Sequence, residues 1–220
     1  MIRLAVFDLD GTLVDSRRDL ADAANALVMS LGGAPLSEKA VGDMVGEGAS
    51  VLVARVLVAA GLNDSRPEAL VRFLTLYDER LINYTRPYDG IVDLLTGLHG
   101  RLPLCVLTNK PQGATDRILL ELGLARFFTN VIGGDTRFGR KPDPAGLLHL
   151  AQQAGVDAAA TILIGDSPVD LETARRAGSR VALVRYGFGF RPVELREGER
   201  TITNPHSLAN LFEDLASNAN

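Results

Sequence analysis

Five short apolar runs punctuate the chain, RLAVF (3–7), LPLCVLT (102–108), NVIGG (130–134), TILIG (161–165) and RVALV (180–184). Longer stretches, whose apolar residues recur every three or four positions, follow them. Brief apolar runs alternating with helical periodicity predict βαβ units on a parallel sheet. The helical stretches end in recognisable stops: Gly123 after RILLEL, Gly155 after LLHLAQQA and Gly178 after LETARRA. Each glycine is placed to take the left-handed conformation that closes a helix.

The rhythm fails between Ser16 and Pro87, where about 70 residues pass without a convincing strand. Leu20, Ala23, Ala24, Leu27, Val28 and Leu31 recur at helical spacing before Gly32. A second helix opens at Ser37, a third runs from Ala49 to Ala60, and a fourth after Pro67 puts Leu70, Phe73, Leu74, Tyr77 and Leu81 on one face. The expected architecture is α/β: a Rossmann-like parallel sheet core from residues 1–15 and 88–220, with a helical cap domain, 16–87, inserted after the first strand.

Composition narrows the function. At 220 residues the chain is long enough to bury about 70% of its unfolded surface without staples. One cysteine, Cys105, excludes an internal disulfide, and its apolar setting reads as a small buried hydrophobe in a reducing cytoplasm. The start lacks a signal-peptide pattern, and VLVARVLVAAGL, cut by Arg55, is too short to span a bilayer, so neither secretion nor a membrane is expected. A net charge of −4 with only isolated arginine pairs argues against nucleic acid. A small or metal-bound ligand remains, with a monomer or a homodimer equally open.

Ligands of open parallel sheets sit outside the carboxyl ends of the strands, and there the polar residues form a coherent set. Asp8 and Asp10 follow the first strand, Thr108 and Asn109 the second, Asp166 the fourth, while Lys141 lies in GRKPDP before another helix. Three carboxylates, a hydroxyl and a lysine on one rim suit a magnesium ion and a phosphate. Magnesium takes hard oxygen ligands, commonly one or two carboxylates plus a phosphate oxygen. A carboxylate nucleophile meeting a phosphate dianion at about 4 Å is repelled by about 4 kcal/mol per charge pair at an effective dielectric near 20; the metal and Lys141 offset that. Gly11 and Thr12 let the backbone turn behind the aspartates and present N–H groups to phosphoryl oxygens. Asp10, two residues on, is placed to exchange a proton with the leaving oxygen.

DLDGTLVDS, Thr108-Asn109, Lys141-Pro142 and GDSPVD (165–170), in that order at strand ends, resemble the four motifs of the haloacid dehalogenase superfamily. The insert is similar to that superfamily's helical C1 cap, and TNKP, VIGGD, KPDP, GDS and RYGFG together look most like its bacterial phosphoglycolate phosphatases. The resemblance implies that Asp8 forms an aspartyl-phosphate, that Asp10 is the general acid and base, and that Thr108 and the Asn109 N–H hold phosphoryl oxygens. Lys141 would stabilise developing charge. Mg2+ would bind the carboxylates of Asp8 and Asp166 and the backbone carbonyl of Asp10, with Asp170 supporting them from behind. The implied activity is a phosphatase for a small phosphorylated metabolite, 2-phosphoglycolate first. Sugar phosphates, nucleotides, pyrophosphate, N-acetylmuramate 6-phosphate and a β-phosphoglucomutase-like transfer share the motifs. An idle phospho-ligand scaffold would usually have lost one of Asp8, Asp10, Lys141 or Asp166.

Plainer readings compete at several positions. Asp15 and Ser16 read as the N-cap of the first cap helix, and Asp170 equally suits a helix's first turn. GEGASV (46–51) follows a helical stretch, and Val51 stands where a dinucleotide loop needs its third glycine. Gly46 and Gly48 are either a cap loop reaching the substrate or an ordinary turn. VRYGFGFRP (184–192) either closes the site or packs as a loop.

Overall fold

A computed structural model describes residues 1–62 and 67–217. In chain order the elements are β1 (Leu4–Phe7), β2 (Val14–Asp15), α1 (Arg17–Ser30), α2 (Glu38–Gly42), α3 (Ala49–Ala59), α4 (Pro67–Asp78), β3 (Arg86–Pro87), α5 (Ile91–Leu98) and β4 (Leu104–Leu107). Then come α6 (Gln112–Glu121), β5 (Asn130–Ile132), α7 (Ala145–Gln153), β6 (Thr161–Gly165), α8 (Pro168–Ala177), β7 (Arg180–Val184), β8 (Arg200–Ile202) and α9 (Pro205–Ser217).

Six strands form one parallel sheet in the order β5-β4-β1-β6-β7-β8. β1, β4 and β6 are buried along their whole length, which is why they read as unbroken apolar runs: a parallel sheet is covered on both faces. Side chains alternate between those faces. Ala5, Phe7, Val106, Ile162 and Ile164 pack with α5, α6 and α9 on one side. Leu4, Val6, Cys105, Leu107 and Leu163 pack with α7 and α8 on the other. The Cys105 thiol lies 3.4 Å from Thr129 Oγ1 and is pushed up by burial, as an inert core group would be. Gly123, Gly155 and Gly178 adopt φ of 68°, 63° and 68° at the expected helix ends.

The four expected helices of the insert form, and Ser37 Oγ accepts the Ala40 N–H as the N-cap of α2. Leu20, Leu27, Leu57, Phe73 and Tyr77 pack together, and their cluster runs on into that of the sheet's first face. No strand was expected in this region, yet β2 pairs antiparallel with β3, Val14 opposite Pro87 and Asp15 opposite Arg86. The chain's exit to the helices and its return therefore lie side by side.

Asp19 fastens them. Its buried carboxylate accepts from the backbone N–H groups of Tyr84 (2.9 Å) and Thr85 (2.8 Å) and from the Thr85 hydroxyl (2.8 Å). The N-cap reading of Ser16 holds for position only. Its side chain makes no cap bond and instead donates to Asp10 Oδ1 at 2.5 Å. Asp15 Oδ1 accepts the Arg17 N–H in its place.

Asp19→Ala leaves the half-buried Tyr84 N–H and the buried Thr85 N–H and hydroxyl without their charged acceptor, and each such bond is worth about 1.5–3 kcal/mol. Allowing for relaxation, urea denaturation should show a loss of about 3 kcal/mol. A change below about 1 kcal/mol would mean that the paired links hold without the carboxylate.

Candidate active site

The strand ends bring the expected residues together. Asp8 continues β1 beyond its last residue, its N–H bonded to Ile164 O (2.8 Å), so the side chain emerges at the sheet's carboxyl edge. Three positions later Gly11 turns the chain with φ +81°, and a Cβ there would lie 1.9 Å from Asp166 Oδ2. Glycine is therefore required twice, for the backbone angle and for the closeness of the carboxylate. The same crowding decides the 184–192 loop, which does wall the site. A Cβ on Gly187 would meet Asp166 Cβ at 2.3 Å, and Gly189 N donates to Asp166 Oδ2 at 2.6 Å.

Lys141, buried among these groups, places Nζ 2.9 Å from Asp8 Oδ1 and 2.6 Å from Asp170 Oδ1. Its approach to Asp8 is close enough for an ion pair but lies off the hydrogen-bonding direction, so Oδ1 is a buried oxygen without a directed donor among the described residues. Asp170 stands in the first turn of α8, as its helix reading has it: Oδ2 accepts the Ser167 N–H (3.1 Å) and Oγ–H (2.6 Å) in the capping box, while Oδ1 takes Lys141.

Asn109 is an unexpected clamp. Its Oδ1 accepts the Lys141 N–H (2.7 Å), and its Nδ2 donates to Lys141 O (3.0 Å) and to Gly46 O (2.9 Å). One side chain thus fixes the lysine loop and meets the helical insert. Thr108 is buried beside it, with Oγ1 accepting the Lys110 N–H at 3.3 Å, and Thr12 Oγ1 is buried without a partner among the described residues. The Asp10 carboxylate points elsewhere: Lys110 Nζ donates to its two oxygens at 3.0 and 2.9 Å, and Ser16 binds Oδ1. Lys110 also donates to Tyr77 Oη on α4 (2.6 Å).

Ser16, Lys110 and Tyr77 were not anticipated. Lys110 directly follows Thr108-Asn109 at a strand end, a placement that could have flagged it. Tyr77 is a core residue of α4, stacked on Phe73 with centroids 5.9 Å apart, and its sequence position does not disclose the hydroxyl's destination.

Asp8, Asp10, Thr108, Asn109 and Asp166 line one wall of a cleft, and Gly46, Gly48, Leu52, Phe73 and Tyr77 line the wall contributed by the insert. The cap-loop reading of the two glycines therefore has the geometry it needs. The cleft encloses about 590 Å³, its open mouth included. Burial pushes the Asp8 carboxyl up, Lys141 pulls it back and Asp170 adds to the rise, for a value of about 6. Asp166 is raised well above the usual carboxylate range by burial, then by Asp8 and Asp170. Burial opposes the Lys141 charge, but Asp170 and Asp8 outweigh it and push its pKa up. One oxygen from each of Asp8, Asp166 and Asp170 lies within 4.8 Å of the others, close enough to share a cation.

These features define a hydrolase, and the chain belongs to the haloacid dehalogenase-like hydrolase family, whose model matches residues 5–184. A phosphoglycolate phosphatase of Rhodospirillum rubrum is 44% identical over 201 residues, 88% of this chain and 83% of the relative. One of Neisseria gonorrhoeae is 39% identical over 199 residues, 86% and 82% of the two chains. Among solved structures, that of a predicted phosphoglycolate phosphatase from Haemophilus somnus superposes with a TM-score of 0.89 at 28% identity, covering 96% of this chain and 98% of the other. Among the described residues no helix is long and apolar enough to cross a membrane.

Below pH 6 a cation must displace the proton that the buried Asp8 retains. Magnesium affinity, measured by calorimetry, should therefore fall about tenfold or more from pH 7.5 to pH 5, with Asp166, raised in the same direction, adding to the loss. Equal affinity at both values would put the cation away from Asp8.

Proposed function

We propose that this chain is a magnesium-dependent phosphomonoesterase that hydrolyses 2-phosphoglycolate in the cytoplasm, with residues 16–87 acting as a cap over a core of 1–15 and 88–220. The observation carrying this reading is the buried set of Asp8, Lys141, Asp166 and Asp170, with Asp10 two residues from Asp8 facing the same cleft. The relatives named phosphoglycolate phosphatase support the choice of substrate.

The residues fit a magnesium ion. Asp8 Oδ1 is buried without a directed donor, Asp166 stands beside it, and an all-oxygen donor set suits a hard cation. Asp8, Asp166 and the Asp10 backbone carbonyl would hold the ion, and Asp170, both oxygens already engaged, would position Lys141. When bound, magnesium neutralises phosphoryl charge and orients the phosphate.

The chain's own residues account for the bond changes. A free Asp8 oxygen attacks phosphorus, and the bond from phosphorus to the glycolate oxygen breaks. Asp10, protonated at that moment, gives its proton to the departing oxygen. As a carboxylate it then takes a proton from water, which attacks phosphorus and breaks the bond to Asp8. Glycolate and phosphate leave, and both aspartates return to their starting states. Lys141, its charge secured by Asp170, faces the negative charge that builds beside Asp8. The Thr108 hydroxyl and the Asn109 N–H bind phosphoryl oxygens; the Gly11 and Thr12 N–H groups, expected from the sequence to assist, instead donate within their own turn to Val14 O (2.9 Å) and Leu9 O (3.2 Å). The insert, with Gly46 and Gly48 at the cleft, excludes bulk water.

Phosphate release from 2-phosphoglycolate, assayed with magnesium and with EDTA, tests this reading: activity should require the metal. Asp8→Asn should abolish turnover and covalent labelling, because an amide is a poor nucleophile. Asp10→Asn should cost about 10² to 10⁴ in rate while the fold persists. Near wild-type release by Asp8→Asn, or full activity after EDTA and dialysis, would sink the mechanism.

Calcium should inhibit. It accepts seven or eight oxygens and both oxygens of one carboxylate, which would leave Asp8 none for attack. Turnover with calcium equal to that with magnesium would show that Asp8 is not restrained in this way.

A further inference from the structure

Among the described residues lining the cleft, the carboxylates of Asp8, Asp10 and Asp166 are opposed by one cationic side chain, Lys110. Lys141 lies behind them, engaged with Asp8 and Asp170. The Lys110 side chain is 3% exposed and donates to Asp10 and to Tyr77 Oη. Tyr77 accepts that bond, so its own O–H proton remains to be given, and burial pushes its pKa up, keeping it a donor. Around the pair the cleft is apolar, with Leu20, Leu52, Phe73 and Leu74. These walls offer no partners to sugar hydroxyls, whose burial without hydrogen bonds is costly.

We propose that Lys110 and Tyr77 form a subsite for a second anionic group of the substrate, a carboxylate one carbon from the phosphate ester, and so select short phosphorylated carboxylic acids. The inference rests on the phosphatase reading above and adds a reason for the lysine's position. Lys110 is the one cation among the described lining residues and Tyr77 keeps a proton to give, so a substrate carboxylate at this point meets both a positive charge and a donor, whereas a neutral alkyl phosphate uses neither.

The test compares 2-phosphoglycolate with ethyl phosphate, which has two carbons and no carboxylate, in the wild-type enzyme and in Lys110→Met and Tyr77→Phe. Wild type should favour 2-phosphoglycolate by about 100-fold or more in kcat/KM. Lys110→Met should cut that preference by about 30-fold or more, as loss of a buried charge partner does. Tyr77→Phe should cut it by about tenfold through one lost hydrogen bond to a charged group, with KM for 2-phosphoglycolate rising in both. Should Lys110→Met not fold, Tyr77→Phe retains the ring stacked on Phe73 and gives the same readout. An unchanged preference with both substrates slowed equally overturns the subsite and leaves Lys110 serving Asp10 alone. A wild type that cleaves both substrates without preference overturns it too, while the phosphatase reading stands. Release from neither substrate fails that reading itself.

Discussion

Three buried carboxylates within 4.8 Å of one another, held by one lysine, set the terms for the rest of this structure. Like charges about 4 Å apart repel by about 4 kcal/mol at an effective dielectric near 20, and a single ammonium cannot cancel three of them. Asp8 and Asp166 both stay raised despite Lys141, by burial first and by the neighbouring carboxylates after it. Such an arrangement persists only where the surroundings over-determine it. Here the sheet's edge fixes Asp8, the capping box fixes Asp170, and the glycines at 11, 187 and 189 close on Asp166 so tightly that a Cβ on any of them would collide with it.

That constraint explains why the 184–192 loop and the first turn need glycine at positions far apart in sequence. A Cβ on Gly187 would come within 2.2 Å of Gly11 O as well as striking Asp166. Three segments meet at one carboxylate, and the contact between backbone and side chain leaves no volume for a methyl group. Tyr186 ties the same segments together, its hydroxyl donating to Thr12 O at 3.0 Å.

The sheet was legible because parallel strands buried on both faces leave continuous apolar runs, and its helices because glycine stops them. That Asp8, Asp10, Thr108, Asn109 and Asp166 share one cleft was legible because strand ends in an open parallel sheet share one edge. What escaped was tertiary. β2 and β3 are two residues each and exist only because Asp19 and the pairing draw the links together. β8 offers one buried residue, Ile202, too little for an alternating pattern. Ser16, Lys110 and Tyr77 resemble a cap, a surface charge and a core aromatic, and only the packing of α1 and α4 against the strand ends turns their polar atoms toward Asp10. Asn109 was placed correctly, but the role of its side chain in gripping the Lys141 backbone depends on a segment 32 residues away.

At the links the insert donates to the core, Ser16 to Asp10 and Arg17 to Asp15, whereas around the rest of the cleft the core supplies the donors and the insert the acceptors. Arg117 donates to Asp78 (2.9 Å), Arg140 to Ser50 (2.8 Å) and Arg191 to Asp43 (3.1 Å), all on exposed surfaces. Exposed ion pairs contribute about 0–1 kcal/mol each and are screened by salt, so the rim orients the insert without locking it. The buried contacts, Lys110 to Tyr77 and Asn109 to Gly46, are individually stronger, but each ends on a group that also serves the cleft. Lys110 binds Asp10 within the core and Tyr77 on the insert, so the buried charge pair lies wholly in the core and the insert brings only a neutral hydroxyl to it.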